Sequence, residues 1–165
     1  MTASIDNALR GIGITLNVRA HDRSTMYNFC NDPQTHAALC LSPAWAKDFP
    51  DAFTVAPWLF GGDRTGPNSC CNYSLVGAGP DELRKWGYER RRVPSVDAEI
   101  RECVALTGYR GPLCWAGFDR MVMKKVVPWV PYQFDLNVDV TSERITSYSF
   151  SQFSGHAALD RLAVG

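Results

Sequence analysis

The residues of this chain best placed to do chemistry run from Ser42 to Phe53, Ser-Pro-Ala-Trp-Ala-Lys-Asp-Phe-Pro-Asp-Ala-Phe, where one Trp and two acids stand in an apolar run punctuated by prolines. A carboxylate held among Trp45, Phe49 and Phe53 is costly to desolvate unless a positive group meets it, so Asp48 points to a pocket for an ammonium group or an internal base. Asp51 follows Pro50 at a helix-like start and reads as a cap. The plainer account of the same stretch is a half-exposed Asp in a loop, with the aromatics packing in a core.

Catalytic constellations are missing. There is no Gly-x-Ser-x-Gly elbow, no His-Glu-x-x-His pair and no phosphate loop, since Gly61-Gly62-Asp63-Arg64-Thr65-Gly66 lacks a Gly-Lys-Ser ending and a βαβ setting. That stretch reads as a mobile loop. Asp48 and Asp51 lie three residues apart on a turn, a spacing that does not aim two carboxylates at one bond. The chain therefore reads as a binding protein rather than an enzyme, with no cofactor expected. Seventeen basic residues balance seventeen acidic ones, which removes the electrostatic footprint of a nucleic-acid binder. The one basic cluster, Glu89-Arg90-Arg91-Arg92, reads as a solvated turn before Pro94.

Six cysteines, at positions 30, 40, 70, 71, 103 and 114, suit an exported chain better than a cytosolic one. No Cys-x-x-Cys is present and the three histidines stand far from paired cysteines in sequence, so disulfides are expected rather than a zinc site. Cys103 and Cys114 bracket the turn Thr107-Gly108-Tyr109-Arg110-Gly111-Pro112 between two expected helices and are the candidate disulfide pair. Adjacent cysteines strain a shared bond, so Cys70 or Cys71 is expected to pair with Cys30 or Cys40, the choice being open.

The elements that must position these residues follow an α/β order. A chain of 165 residues with 45% hydrophobic content buries one core, so residues 1–165 are expected to form a single domain. Residues 5–10 suit a helix stopped by Gly11 and Gly13, and Ile14, Leu16 and Val18 alternate as a strand does. Asp22 or Ser24 caps a short helix over residues 25–30, and residues 36–41 read as a buried strand leading to Pro43. Phe53, Ala56 and Phe60 have helical spacing, interrupted by Pro57. Pro80 opens a helix, Ser95 caps another over residues 96–106 with Ile100 and Val104 on one face, and residues 113–125 carry a stripe of Trp115, Phe118 and Val122. Strict alternation from Tyr132 to Val140, the turn Thr141-Ser142-Glu143 and the β-prone run 145–150 predict a terminal hairpin, and residues 155–165 have helix-like content.

Trp45-x-x-Asp48-Phe49-Pro50-Asp51 resembles the Trp-x-x-Asp-Tyr-Pro-Asp-Pro segment of the family 5 extracellular solute-binding proteins, the peptide and nickel receptors of ABC importers. The helix and Gly-Ile-Gly turn of residues 5–16, the helix of residues 114–123 and Pro128-Trp129-Val130-Pro131 resemble other segments of that family in the same order. The resemblance implies the C-terminal lobe of a periplasmic-binding-protein class II fold, truncated relative to the two-lobed family. It implies peptide binding without catalysis, with Asp48 on the ligand's α-amino group and Trp45 and Phe49 lining the pocket. It also implies a missing N-terminal lobe, an ABC permease as partner and a periplasmic or extracytoplasmic location, although residues 1–6 have no basic and apolar export signal. Three departures bear on the ligand: Ala44 stands for Gly, Lys47 lies beside Asp48 where it would neutralise it, and Ala52 stands for the second Pro. Nickel chelates, sugars or a non-binding interaction fragment are the alternatives.

Overall fold

The computed structural model describes residues 2–41, 45, 47–67, 69–89, 92–132 and 138–165. Position 44 of the resemblance, Arg90 and Arg91 of the basic cluster, and residues 133–137 of the expected strand lie outside these residues.

Helices carry the fold. Helix α1 (Thr2–Arg10) ends at Gly11 as its glycines predict, with Gly13 at φ +81°, and buries none of its residues. Helix α2 (Arg23–Asn31) starts at Asp22, whose carboxylate accepts the Thr25 N–H at 3.1 Å. That bond and the Thr25 hydroxyl, the larger influence, hold the Asp22 carboxyl below the usual range. Pro57 splits the run expected over residues 53–60 into a 3₁₀ turn at Ala52–Thr54 and helix α3 (Ala56–Phe60), which it enters at the first turn where no N–H is needed. Helix α4 (Pro80–Lys85) likewise opens on Pro80, and the Gly79 N–H donates to Glu82 Oε2 at 2.9 Å. Helix α5 (Asp97–Val104) receives a Ser95 hydroxyl on the Asp97 N–H, and helix α6 (Arg110–Met121) runs into a π-helical turn at Val122–Val126.

Several expected strands are not formed. Residues 14–18 and 36–41 are extended or irregular, and Ile14 and Val18 are about half exposed, because alternation makes a strand only where another strand pairs with it. Among the described residues strand is confined to the segment after residue 144: β1 (Ile145–Ser147), β2 (Phe150–Ser151), β3 (His156–Ala157) and β4 (Ala163–Val164). Strand β1 pairs antiparallel with β4, and β2 with β3. The expected hairpin partner, residues 132–140, is not strand at any of its described positions, and the helix-like C-terminal run supplies β3, a 3₁₀ turn and β4 instead. Among the described residues there is no parallel sheet of the kind an α/β lobe is built on.

The main core joins α3, α5 and α6 through Leu59, Phe60, Ile100, Cys103, Trp115 and Phe118, and a smaller cluster packs Leu75, Ala78, Leu83 and Trp86. The stripe Trp115, Phe118, Val122 is buried as its spacing predicts, whereas on α5 the buried neighbour of Ile100 is Cys103, and Val104 is 48% exposed. No described residue before Cys30 or after Val122 is buried. His36 fastens the smaller cluster by stacking on Tyr88 at 4.6 Å, with Nε2 at 2.8 Å from the Trp86 carbonyl. Tyr88 donates its hydroxyl to the Pro33 carbonyl, and burial, then the charge of Asp32, raise its pKa.

The run expected to be a mobile loop is packed. Residues Gly62–Arg64 form a 3₁₀ turn, and the Gly62 N–H donates to Asp97 Oδ1 at 2.9 Å. Gly77, at φ +87°, lies so close that a Cβ there would be 2.9 Å from the Gly62 Cα. Gly77→Ala is therefore expected to lower unfolding stability by about 1–3 kcal/mol, through both the left-handed backbone and the backbone contact. A urea midpoint equal to that of the parent would refute it.

Candidate ligand-binding groove

The expected site segment is organised by a residue that its composition does not single out. Thr54 is 2% exposed, and its hydroxyl accepts the Asp48 N–H and donates to Asp48 Oδ2, both at 2.8 Å. Its carbonyl accepts the Trp45 indole N–H at 2.9 Å. A single buried Thr in the 3₁₀ turn thus draws Trp45 and Asp48 back onto the same element. Trp45 stacks on Trp58 of α3 with centroids 6.1 Å apart, and the Arg64 guanidinium lies 4.2 Å from the centre of the Trp58 ring, within cation–π range.

Asp48 is exposed, and one of its oxygens is taken by Thr54. Asp51 caps the 3₁₀ turn as its position after Pro50 predicts, accepting the Phe53 N–H at 2.8 Å through Oδ1. Lys47, expected to neutralise Asp48, has its ammonium 5.9 Å from the centre of the Phe153 ring, and no ion pair of Lys47 occurs among the described residues.

Beside this segment lies a groove of about 330 Å³, walled by Phe49 and Phe53 on one side and by Val104, Leu106 and Trp115 on the other, with Asp51 as its carboxylate. Phe49 and Phe53 are 40% and 44% exposed, so the groove is open along this wall. Of the expected ligand contacts, Phe49 lines the groove, and Trp45 and Asp48 are not among its lining residues. Phe53, expected beside the pocket carboxylate, also lines the groove, whereas Val104, Leu106 and Trp115 were not expected as ligand contacts. The signal for Val104 was its helical offset from Cys103, which the disulfide turns into the core.

The far wall is fixed by the Cys103–Cys114 disulfide, which joins α5 to α6 with Cα atoms 5.4 Å apart, as the bracketing of the turn predicts. Cys30 is bonded to Cys40, and Cys70 to Cys71, so neither adjacent cysteine pairs with Cys30 or Cys40 as expected. The reason is distance along the fold: Cys30 and Cys40 sit 6.1 Å apart across the turn that follows α2. These disulfides are compatible with an extracellular, non-cytoplasmic protein. No helix among the described residues is long and apolar enough to cross a membrane, and no cluster of potential metal ligands occurs among them.

Comparison with family models, with curated proteins and with solved structures finds no match to the chain.

Proposed function

We propose that this chain is an extracytoplasmic binding module that takes the apolar, amino-terminal end of a short peptide into the groove between the 49–54 segment and the α5–α6 pair. The observation that carries the reading is the pairing of aromatic walls with one carboxylate in a concave site. Ligand sites commonly combine a few hundred Å³ of apolar lining with a small number of polar groups that fix orientation. Asp51 is the groove's acid: Oδ1 is used by the Phe53 N–H, and among the described residues no hydrogen bond engages Oδ2. The peptide ammonium therefore meets Asp51 in this proposal, and Asp48 shapes the turn through Thr54. The resemblance to solute-binding proteins adds an ABC permease and a second lobe as proposed partners.

An open groove supplies part of the contacts that a closed two-lobed receptor supplies. Half of a micromolar interaction, about −4 kcal/mol, corresponds to a millimolar dissociation constant. Titration of the ¹⁵N-labelled chain with tri- to pentapeptides bearing an amino-terminal Phe or Leu is expected to shift amide resonances of residues 49–54 and 103–106 with millimolar affinity. Phe49→Ala is expected to abolish those shifts. Asp51→Asn, which keeps the cap, is expected to weaken a free-amine peptide about fivefold, the net worth of an ordinary solvent-exposed hydrogen bond, and to leave its acetylated form unchanged. Shifts that fall elsewhere, or an equal effect of Asp51→Asn on both peptides, would sink the reading, and a larger effect of Asp48→Asn would return the ammonium contact to Asp48.

A further inference from the structure

Apart from the groove, the most unusual chemistry is at Cys70 and Cys71. Their bond closes a small ring around a single peptide unit, and Cys71 holds φ +89°, a left-handed value that is strained for a residue with a Cβ. The two sulfur-bearing residues are environmentally unlike: Cys70 is exposed, whereas Cys71 is 6% exposed and belongs to the main core. The flanking backbone is strapped by the Asn31 side chain, whose amide donates to the Ser69 carbonyl and whose oxygen accepts the Cys71 N–H at 3.0 Å. Immediately after comes Asn72, 2% exposed, which donates to the Gly61 and Val76 carbonyls at 2.8 and 2.9 Å and accepts the Val76 N–H at 3.0 Å. The ring is thus attached on one side to α2 and on the other to the turn beneath α3.

We propose that Cys70–Cys71 is a reversible dithiol–disulfide switch, opened by an external dithiol, that relaxes the Cys71 backbone and shifts the Ser69–Val76 segment while the other two disulfides stay closed. A thiolate of the dithiol attacks the exposed Cys70 sulfur, the bond between the two cysteine sulfurs breaks, and its electron pair leaves on Cys71, which takes a proton. The second thiolate of the reductant then attacks its own sulfur in the mixed disulfide and releases Cys70. Two electrons and two protons have passed from the dithiol, now a disulfide, to the cysteine pair. Selectivity follows from access and geometry. Each of the three bonds has one buried sulfur, but the more accessible partner is exposed only at Cys70, Cys40 and Cys114 being half-buried, and the other two bonds span ordinary Cα separations of 6.1 and 5.4 Å.

The test is graded reduction of the full chain with dithiothreitol, alkylation with iodoacetamide and peptide mass mapping, with ¹⁵N spectra recorded in parallel. The expected result is dialkylation of the Cys70–Cys71 peptide at about tenfold lower dithiothreitol than the other two pairs require, as for exposed, strained disulfides in general. Amide shifts are expected at Asn31, Gly61 and residues 69–76, returning on reoxidation. The variant Cys70→Ser is expected to give the reduced-type shifts without reductant, and because the parent's mapping stands alone, its failure to fold would not protect the proposal. Opening of all three pairs together, free thiols at Cys70 and Cys71 in the oxidised protein, or shifts confined to the two cysteines would overturn it.

Discussion

Replacing Asn72 by Ala is expected to lower unfolding stability by about 3 kcal/mol, since truncation strands polar backbone groups in the core at about 1–3 kcal/mol each. The amide satisfies three of them, the carbonyls of Gly61 and Val76 and the Val76 N–H. Two of these bonds tie the residue to its own loop, and the third reaches the end of α3. Asn72→Asp separates the contributions. It retains an acceptor for the Val76 N–H but faces both carbonyls with no amide donor, so it is expected to be no better than Ala at neutral pH. Urea unfolding of the three proteins, followed by the Trp fluorescence, checks the order. A loss below about 1 kcal/mol for Asn72→Ala would mean that water replaces the amide and that the site is not closed.

Removing the Cys103–Cys114 bond by Cys103→Ser with Cys114→Ser is expected to cost about 3 kcal/mol, the chain-entropy value for a loop of this size. The sequence separation is 11 residues. A second consequence distinguishes this bond from a generic cross-link. Cys103, Val104, Leu106 and Trp115 stand on one wall of the groove, so freeing α5 from α6 is expected to remove the peptide-induced shifts at residues 103–106 even below the unfolding transition. The measurement is the peptide titration repeated on the double variant, alongside its urea midpoint. Unchanged stability would count against the bond as a structural staple, and unchanged peptide shifts would show that the wall holds without it.

What could be read from the sequence divides along physical lines. The α6 stripe of Trp115, Phe118 and Val122 was legible because a helix makes its own hydrogen bonds, so spacing alone decides which face is buried. The Cys103–Cys114 bond was legible for a similar local reason, a short turn between helices. The α1 stop at Gly11 and the Asp22 cap also depend on neighbours in sequence. Strands depend on distant partners. Ile14, Leu16 and Val18 alternate correctly and yet form no strand, and Ile145 finds its partner at Val164 instead of in the preceding run. The site shows the same division. Asp51 as a cap was readable from Pro50, but the hold of Thr54 on Trp45 and Asp48 was not, because a threonine's role as a buried hydrogen-bonding hub is set by what packs over it. Asn72 was hidden for the same reason, inside a loop whose glycines and asparagines suggested freedom.

The Asn72 brace also says which lengths in this chain are free to change. Its amide reads the positions of Gly61 and Val76 at once, so the step from residue 72 to residue 76 behaves as a ruler: one inserted residue would part the side chain from both groups of Val76. The exposed extended run after Gly13 has no such gauge, since nothing buried measures its length. In a lineage of related sequences, gaps would accumulate in residues 14–20 and stop at the four-residue interval that follows Cys71.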